Sequence, residues 1–402
     1  EVTNNAFDGI DFSKRYANYN NFSLPVRHID WTMVPEASAA ELDSLGQDSA
    51  KDVMLRSMLV EMGINIDPIS DREYAARLLK YFNANKFGNQ LVAKWHVADG
   101  ANYSNVESWD NELSVIMDLG MKGLSDEARE NAKKTENITA LCGDSENKLL
   151  STTYICVNDY RMMTAEEKSA TTIALAKVAL EYLPSAAKIA GSLAVKAAEV
   201  AAKKVKGFFV RTNSYLFKLD WDQDKFDNFY ANYWNNPSEF NEKANYQLKY
   251  VGKSSKYAGA GLTMKADNED KLITRGALRA TDAAFAALQR DYEEFRPMSS
   301  LHEEDGKLIA YIGTKEGVKE GDKFDVFQRV ENEDKTFDWK KVGNIKVAKK
   351  SVWDNQEGAG EVIEGAAEDG NEKDGSTELK YTIFSGKPTK NIGEGCLIRL
   401  AK

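Results

Sequence analysis

Residues 152–221 constrain the fold more than any other part of this chain. A strand-like run, Thr152–Met163, leads into an alanine-rich stretch from Thr164 to Val205, and a second strand-like run, Gly207–Trp221, follows. The middle stretch opens with Thr164-Ala165-Glu166-Glu167. There a threonine hydroxyl and the glutamate one turn later satisfy each other's orphan backbone amides, so a helix starts at this point. Apolar residues then recur at Ile173, Leu175, Val178, Leu180 and Leu183, but Lys168, Lys177, Glu181 and Lys188 keep interrupting them. No window reaches the ~18 uninterrupted apolar residues that a bilayer span needs, so no transmembrane span is expected. Proline costs about 3 kcal/mol in a helix interior and glycine about 1. Pro184 and Gly191 therefore predict a kink or break between Leu183 and Ser192. The charges are spread along the stretch rather than gathered into one basic face. That pattern favours a pair of amphipathic crossover helices covering a sheet over a hairpin lying on or entering a membrane.

At 402 residues the chain is long enough for two or three domains with their own cores. A net charge of -10 argues against nucleic acid as a partner held by bulk electrostatics. The three cysteines, Cys142, Cys156 and Cys396, lack metal-ligand spacing, and their odd number excludes a fully paired intramolecular set. Cys142 and Cys156 either bridge or, as the better expectation, sit as small buried hydrophobes. No signal peptide or polybasic anchor is legible, and the start at Glu1 without methionine suggests a processed or trimmed end. The opening Asn-, Tyr- and Phe-rich residues suit the mature N-terminus of an exported protein.

The fold class expected is α+β, in three parts. Residues 1–69 read as a poorly patterned N-terminal segment with one helix, about Ala37 to Met62, ended by Gly63. Residues 70–297 read as an α+β domain, with a helix-rich beginning and a small mixed sheet covered by helices. Its helices include one capped by Ser70 or Asp71 and running through Phe82, a second carrying Leu91, Val92 and Trp95, and two more over 110–123 and 125–150. Further on come a helix capped by Asp222 or Asp224, a strand Tyr246–Val251, a Gly/Ser loop Gly252–Gly261 and a long helix Glu269–Phe295 stopped by Pro297. Residues 298–402 change to period-two alternation with glycine turns at Gly317 and Gly321 and a hairpin tip at 331–334. That pattern fits a small all-β barrel of SH3-like or OB-like type. Between Asp354 and Glu378 the acidic residues have little to oppose them, as in a solvated loop.

No motif with established chemistry survives inspection. Gly252-Lys253-Ser254 lacks the upstream glycine of a phosphate loop, since Gln247 stands there. Asp220, Asp222 and Asp224 imitate a calcium loop, but Lys225 and Ala231 occupy the places that need glycine and glutamate. His28, His96 and His302 are too dispersed for a metal site, and nothing calls for a cofactor. The polar cluster that merits attention is Asn158-Asp159-Tyr160-Arg161, expected at a strand end just before the helix capped by Thr164. Lys94-Trp95-His96 is the second. Candidate binding residues are therefore Asn158, Asp159, Arg161 and His96, with no catalytic set. Asp43-Ser44-Leu45 and Asp48-Ser49-Ala50 resemble the Asp-Ser-apolar acceptor triplets for O-glycosylation of exported Bacteroidetes proteins.

The ordered set Leu91–His96, Ser151–Arg161, Ser214–Trp221 with Tyr230–Trp234, Gln247–Gly252, Leu288–Phe295 and Tyr311–Gln328 resembles an uncharacterised family of exported Bacteroidetes proteins. The resemblance spans roughly Ala75 to Lys402 and implies compartment and fold continuity, with no activity attached. The Gly317 to Val326 pattern, Gly-x-x-x-Gly-Asp-x-Phe-x-Val, is similar to small β domains of cell-envelope assembly proteins. The expectation is a non-enzymatic, exported protein, periplasmic or outer-membrane-associated, whose partners are other envelope proteins. The alternative is a hydrolase or small-ligand binder with a site near Asn158 to Arg161.

Overall fold

The strand-like run beginning at Thr152 and the one ending at Trp221 pair directly with each other, and a third strand completes an antiparallel sheet. The computed structural model describes residues 28–48, 50–64, 69–97, 101–109, 147, 149–202, 207–261, 269–296, 298–331, 337–356 and 379–401. The elements before the sheet are α1 (Ala39–Ser44), α2 (Ala50–Glu61), α3 (Asp71–Ala84) and α4 (Phe87–His96). The single helix expected over Ala37–Met62 is thus two. Leu45 leaves helical geometry and Gly46 follows with φ of 79°, a left-handed conformation that glycine adopts without steric cost. Ser70 caps α3 by accepting the Glu73 amide. The helices expected over 110–123 and 125–150 lie outside the described residues apart from 147, 149 and 150, which are helical.

Strand β1 (Tyr154–Thr164) runs into α5 (Ala165–Glu181) through the expected capping box: the Glu167 amide donates to Thr164 Oγ1, and the Thr164 amide to the Glu167 carboxylate. The chain breaks after α5 at Tyr182–Pro184 and resumes as α6 (Ser185–Ala202) before β2 (Phe208–Leu219). The break falls at the proline alone. Gly191 stays helical because its missing side chain is what lets the two helices approach: a Cβ there would lie 2.5 Å from Leu180 Cδ1 and 2.8 Å from Leu183 Cδ1. Lys177–Glu199 at 3.7 Å and Lys188–Glu181 at 3.2 Å tie the pair across its length.

This helical pair is not a crossover. β1 and β2 are antiparallel neighbours, with Thr164 opposite Phe208, so α5 and α6 form a hairpin that leaves the sheet and returns to the same edge. A crossover is needed only between parallel strands. α5 packs mainly against α6 and α2, and touches the sheet only at its base.

After β2 come α7 (Gln223–Asn228), capped by Asp222, a π-helical turn Phe229–Tyr233, α8 (Pro237–Lys243) and β3 (Leu248–Gly261). The stretch Gly252–Gly261, expected as a loop, is strand, because β2 offers a continuous antiparallel ladder along it. The sheet order is β1-β2-β3, antiparallel throughout rather than mixed. Helix α9 (Glu269–Asp291) lies on one face and contacts β2 and β3, while α3 and α4 close the other. The helix ends before Tyr292, and Glu293–Phe295 form a short 3-10 turn. Tyr292 packs its ring where a Gly252 side chain would stand.

The C-terminal sheet contains β4 (Ser299–Ser300), β5 (His302–Glu304), β6 (Lys307–Ala310), β7 (Lys323–Glu331), β8 (Phe337–Val347), β9 (Thr382–Ser385) and β10 (Leu397–Leu400). Its order, β4-β10-β7-β8-β9-β6-β5, brings the two outer strands together at Leu301, which joins them in sequence. Leu301 is fully buried and its amide donates to the Cys396 carbonyl, so the sheet is a nearly closed barrel. Leu308, Phe324, Val326, Val347, Phe384 and Ile398 fill it. Gly317 and Gly321 take the expected turns, with φ of 73° and 78°. Residues 332–334 of the expected hairpin tip and 357–378 of the acidic run lie outside the described residues.

The docking of α4 generates a prediction. Asn89 clamps the chain entering β3, donating to the Ala244 carbonyl at 2.7 Å and accepting from the Tyr246 amide at 2.8 Å. A Cβ on Gly88 would overlap the Tyr246 backbone carbonyl. Gly88→Ala should cost about 1–3 kcal/mol in urea unfolding, through overpacking that the backbone cannot relieve. An unchanged midpoint would refute the close approach.

Candidate functional site

Asn158, Asp159 and Arg161 are in the middle of β1, not at its end, and strand alternation divides them between the two faces of the sheet. Asn158 and Tyr160 face α9. The Asn158 side-chain oxygen accepts from Ser214 Oγ at 2.6 Å and from the Cys156 thiol at 3.7 Å. The Tyr160 hydroxyl meets Thr281 Oγ1 at 2.8 Å, beside a small apolar contact of Val210 with Ala277.

Asp159 and Arg161 face the other way. The Asn213 amide donates to the Asp159 carboxylate at 3.2 Å, and Ser255 Oγ donates to the Asn213 side-chain oxygen at 2.7 Å. This row crosses all three strands, because Asp159, Asn213 and Ser255 are register partners. Arg161 pairs with Glu167 at 3.4 Å, the same glutamate that closes the capping box. Arg211 stands directly opposite Arg161, and the Lys168 ammonium lies 3.9 Å from the centroid of the Phe209 ring.

One step along the same face, Tyr215 donates to Asp71 Oδ1 at 3.1 Å, and the Lys253 ammonium bonds the other oxygen. Burial, and after it the charge of Asp71, push the Tyr215 hydroxyl far above the ordinary tyrosine range, so it remains a donor. The trio joins the first residue of α3 to β2 and β3. With Ser70 serving as the cap, Asp71 is left to bond the sheet. Sequence reading missed it because nothing local links Asp71 to Tyr215 or Lys253.

His96 belongs to another environment. It is 1 % exposed, its ring Nδ1 bonds the Val92 carbonyl one turn back at 2.7 Å, and its ring packs against Phe229, Trp234 and Trp109. Since a carbonyl only accepts, Nδ1 carries the proton. The π-helical turn at Phe229–Tyr233, closed by the Trp234 amide on the Phe229 carbonyl, aims Phe229 and Trp234 into this aromatic core. His96 is thereby ring packing for α4, apart from the bonds made by Asn158, Asp159 and Arg161.

Chemically, the side chains of Asn158, Asp159, Asn213, Ser214 and Ser255 bond one another across the sheet. Ser214 and Ser255 direct their hydroxyls at amide oxygens, which do not take up a proton as a general base would. Asp220 is bonded by Lys225 and Lys249, and Asp222 by the Lys225 amide, so the calcium-like run is a strand end and a helix cap. Gly252-Lys253-Ser254 lies within β3 and forms no loop around a phosphate. A cavity of about 40 Å³ lies instead where α9 meets the barrel, lined by Gln289, Arg290, Arg296, Glu316 and Phe324 among others. It would admit a water molecule or two, whereas organic ligands occupy cavities of roughly 300–1,000 Å³. No protein-family model, curated protein or solved structure matches this chain.

Two measurements probe this packing. The Thr212 hydroxyl is fully buried and meets no hydrogen-bond partner among the described residues. Thr212→Val should therefore leave stability unchanged or raise it by up to about 1 kcal/mol, whereas Tyr215→Phe should lose about 1–2 kcal/mol by removing a donor to a carboxylate. Equal losses in urea unfolding would contradict the assignment. Burial pushes the Cys156 thiol up to about 12, so it remains neutral below that pH. Mass mapping after iodoacetamide should find Cys156 unlabelled in the folded chain and labelled in urea. Equal labelling would show that the surroundings of this free, half-buried thiol do not hold it neutral.

Proposed function

We propose that the protein is a non-catalytic component of the cell envelope that works by binding another protein, and that the partner presents an amphipathic helix to the α5–α6 hairpin and α2. The observation that carries this reading is a repeated spacing of exposed apolar residues. Val53 and Val60 on α2, Leu175 and Tyr182 along α5, and Leu193 and Val200 on α6 are all exposed, and each pair is one heptad apart. Leu193 and Val200 are 63 % and 58 % exposed. Apolar residues at that spacing form the seam with which helices receive a further helix. The three helices pack side by side, with the Lys51 ammonium 4.9 Å from the Tyr182 ring centroid, so the pairs lie on one helical layer.

The exported location rests on the resemblance to exported Bacteroidetes proteins and on the composition of the opening residues. A hydrolase or small-ligand binder with a site near Asn158 to Arg161 receives less support, because these residues are split between faces and bonded to sheet neighbours. A membrane-seated hairpin is also less favoured. No helix among the described residues is long and apolar enough to cross a bilayer, and lysines and glutamates pair across the hairpin.

The double variant Leu193→Asp/Val200→Asp tests the reading. It should melt within about 1 °C of the parent, since exposed substitutions away from packing change stability little. It should lose a partner that the parent retains from an envelope extract. Equal capture by both proteins, or flotation of the parent on phosphatidylglycerol vesicles with no protein partner, would sink it.

A further inference from the structure

The barrel carries a second surface that this reading does not use. Lys323 on β7 stands directly opposite Lys346 on β8, and both are exposed. Like charges at directly opposed positions of an antiparallel pair repel at about 5 Å and destabilise the ladder. The turns at the same end add three more exposed lysines, Lys319, Lys349 and Lys350. They converge because the Gly321 amide donates to the Val347 carbonyl, the Val347 amide donates to the Asp322 carbonyl, and the Lys350 amide bonds the Glu320 carboxylate. Gly321 leaves room for the Lys346 side chain, whose Cε would be 3.3 Å from any Cβ placed there.

Neighbouring acids do not neutralise this rim. The Asp322 carboxylate is paired with Arg290, and Asp325 with the Lys341 ammonium at 2.8 Å; Glu320, which accepts from the Lys350 amide, keeps its charge and sets one carboxylate against five lysines. The five lysine ammonium groups make no ion pair among the described residues.

We propose that Lys319, Lys323, Lys346, Lys349 and Lys350 form a docking rim for an acidic segment of a partner polypeptide. Three features favour a polypeptide over a nucleic acid or a bilayer. The five rim residues are all lysines with no aromatic among them on which a base could stack, and the arginines close by are engaged, Arg290 with Asp322 and the Gly317 carbonyl and Arg399 with the Phe327 ring. Among the described residues, the well-exposed large apolar side chain on these two strands is Val330, at the far end of β7 from the rim, so none of those described would carry the rim into a lipid surface. A chain of net charge -10 repels an extended polyanion, whereas a short acidic segment within one Debye length of about 10 Å senses mainly the local lysines. The surface is separate from the α5–α6 hairpin, so the two binding modes fail independently.

Fluorescence anisotropy of a labelled oligoglutamate peptide with the full chain tests the proposal. Binding should be measurable at about 0.05 M NaCl, lost near 0.5 M, and weakened roughly tenfold or more by Lys323→Glu/Lys346→Glu. Lys196→Glu, an exposed charge reversal on α6, should bind the peptide as the parent does. The proposal is overturned by absent binding at low salt, by equal binding of the rim variant, or by retention on phosphatidylglycerol vesicles or oligothymidylate in preference to the peptide. Circular dichroism of the rim variant should match the parent, so that lost binding reports the surface and not the fold.

Discussion

The burial of β2 on both faces is the constraint on which the α+β body depends. Phe217 and Tyr215 point to α3, where Phe82 and Tyr74 meet their rings at 5.2 and 4.7 Å, while Val210 points to Ala277 on α9. A strand buried this way has no solvent face to accommodate a one-residue slip, since a slip would exchange the aromatic set with the smaller, more polar one. β1 and β3 take their register from it. The polar residues in between, Asn213 and Ser214, are tolerated because each finds a cross-strand partner.

The same logic links the body to the barrel. α9 covers the sheet along its length and ends against the barrel, where Arg290 bonds the Gly317 carbonyl and Asp322. Arg296 then gathers the carbonyls of Gln289, Arg290 and Leu400, at 3.1, 2.7 and 3.3 Å. Helix-end carbonyls and a barrel-strand carbonyl thus share one guanidinium, which suits five donors in a rigid plane better than a lysine would. Gly317 is needed twice, for its left-handed turn and because a Cβ would stand 2.7 Å from Ala286 Cβ.

What was legible in the sequence was local. The Thr164–Glu167 capping box and the Gly317 and Gly321 turns each depend on residues a few positions apart and stand as read; of the alternatives left open, Ser70 and not Asp71 is the cap, and the break expected between Leu183 and Ser192 falls at Pro184. Composition misled at Gly252–Gly261. Glycine and serine weaken a strand, but the hydrogen-bond ladder offered by β2 and the need to seat the Tyr292 ring over Gly252 outweigh that tendency. Adjacency misled at Asn158 to Arg161, where neighbours in sequence are divided by a period of two. The trio of Tyr215, Asp71 and Lys253 was not legible at all, because its members meet only after α3 docks on the sheet.

The hairpin and the lysine rim have different physical origins, which would keep two surfaces apart in the binding role proposed above. In α5 and α6, Ala174, Val178 and Val195 are buried and Leu180 and Leu183 pack on Gly191, while Leu175, Leu193 and Val200 remain exposed. In the barrel, β7 and β8 bury Phe324, Val326, Ile345 and Val347, so every second residue is free to carry charge. Helical period yields an apolar seam, whereas the like charges gather where one strand pair meets its turns. Apolar contact is short-ranged and insensitive to salt, whereas the charged row attracts at a distance and weakens as salt rises. Charge would therefore govern the rate of encounter with a partner, and the apolar seam its residence once bound.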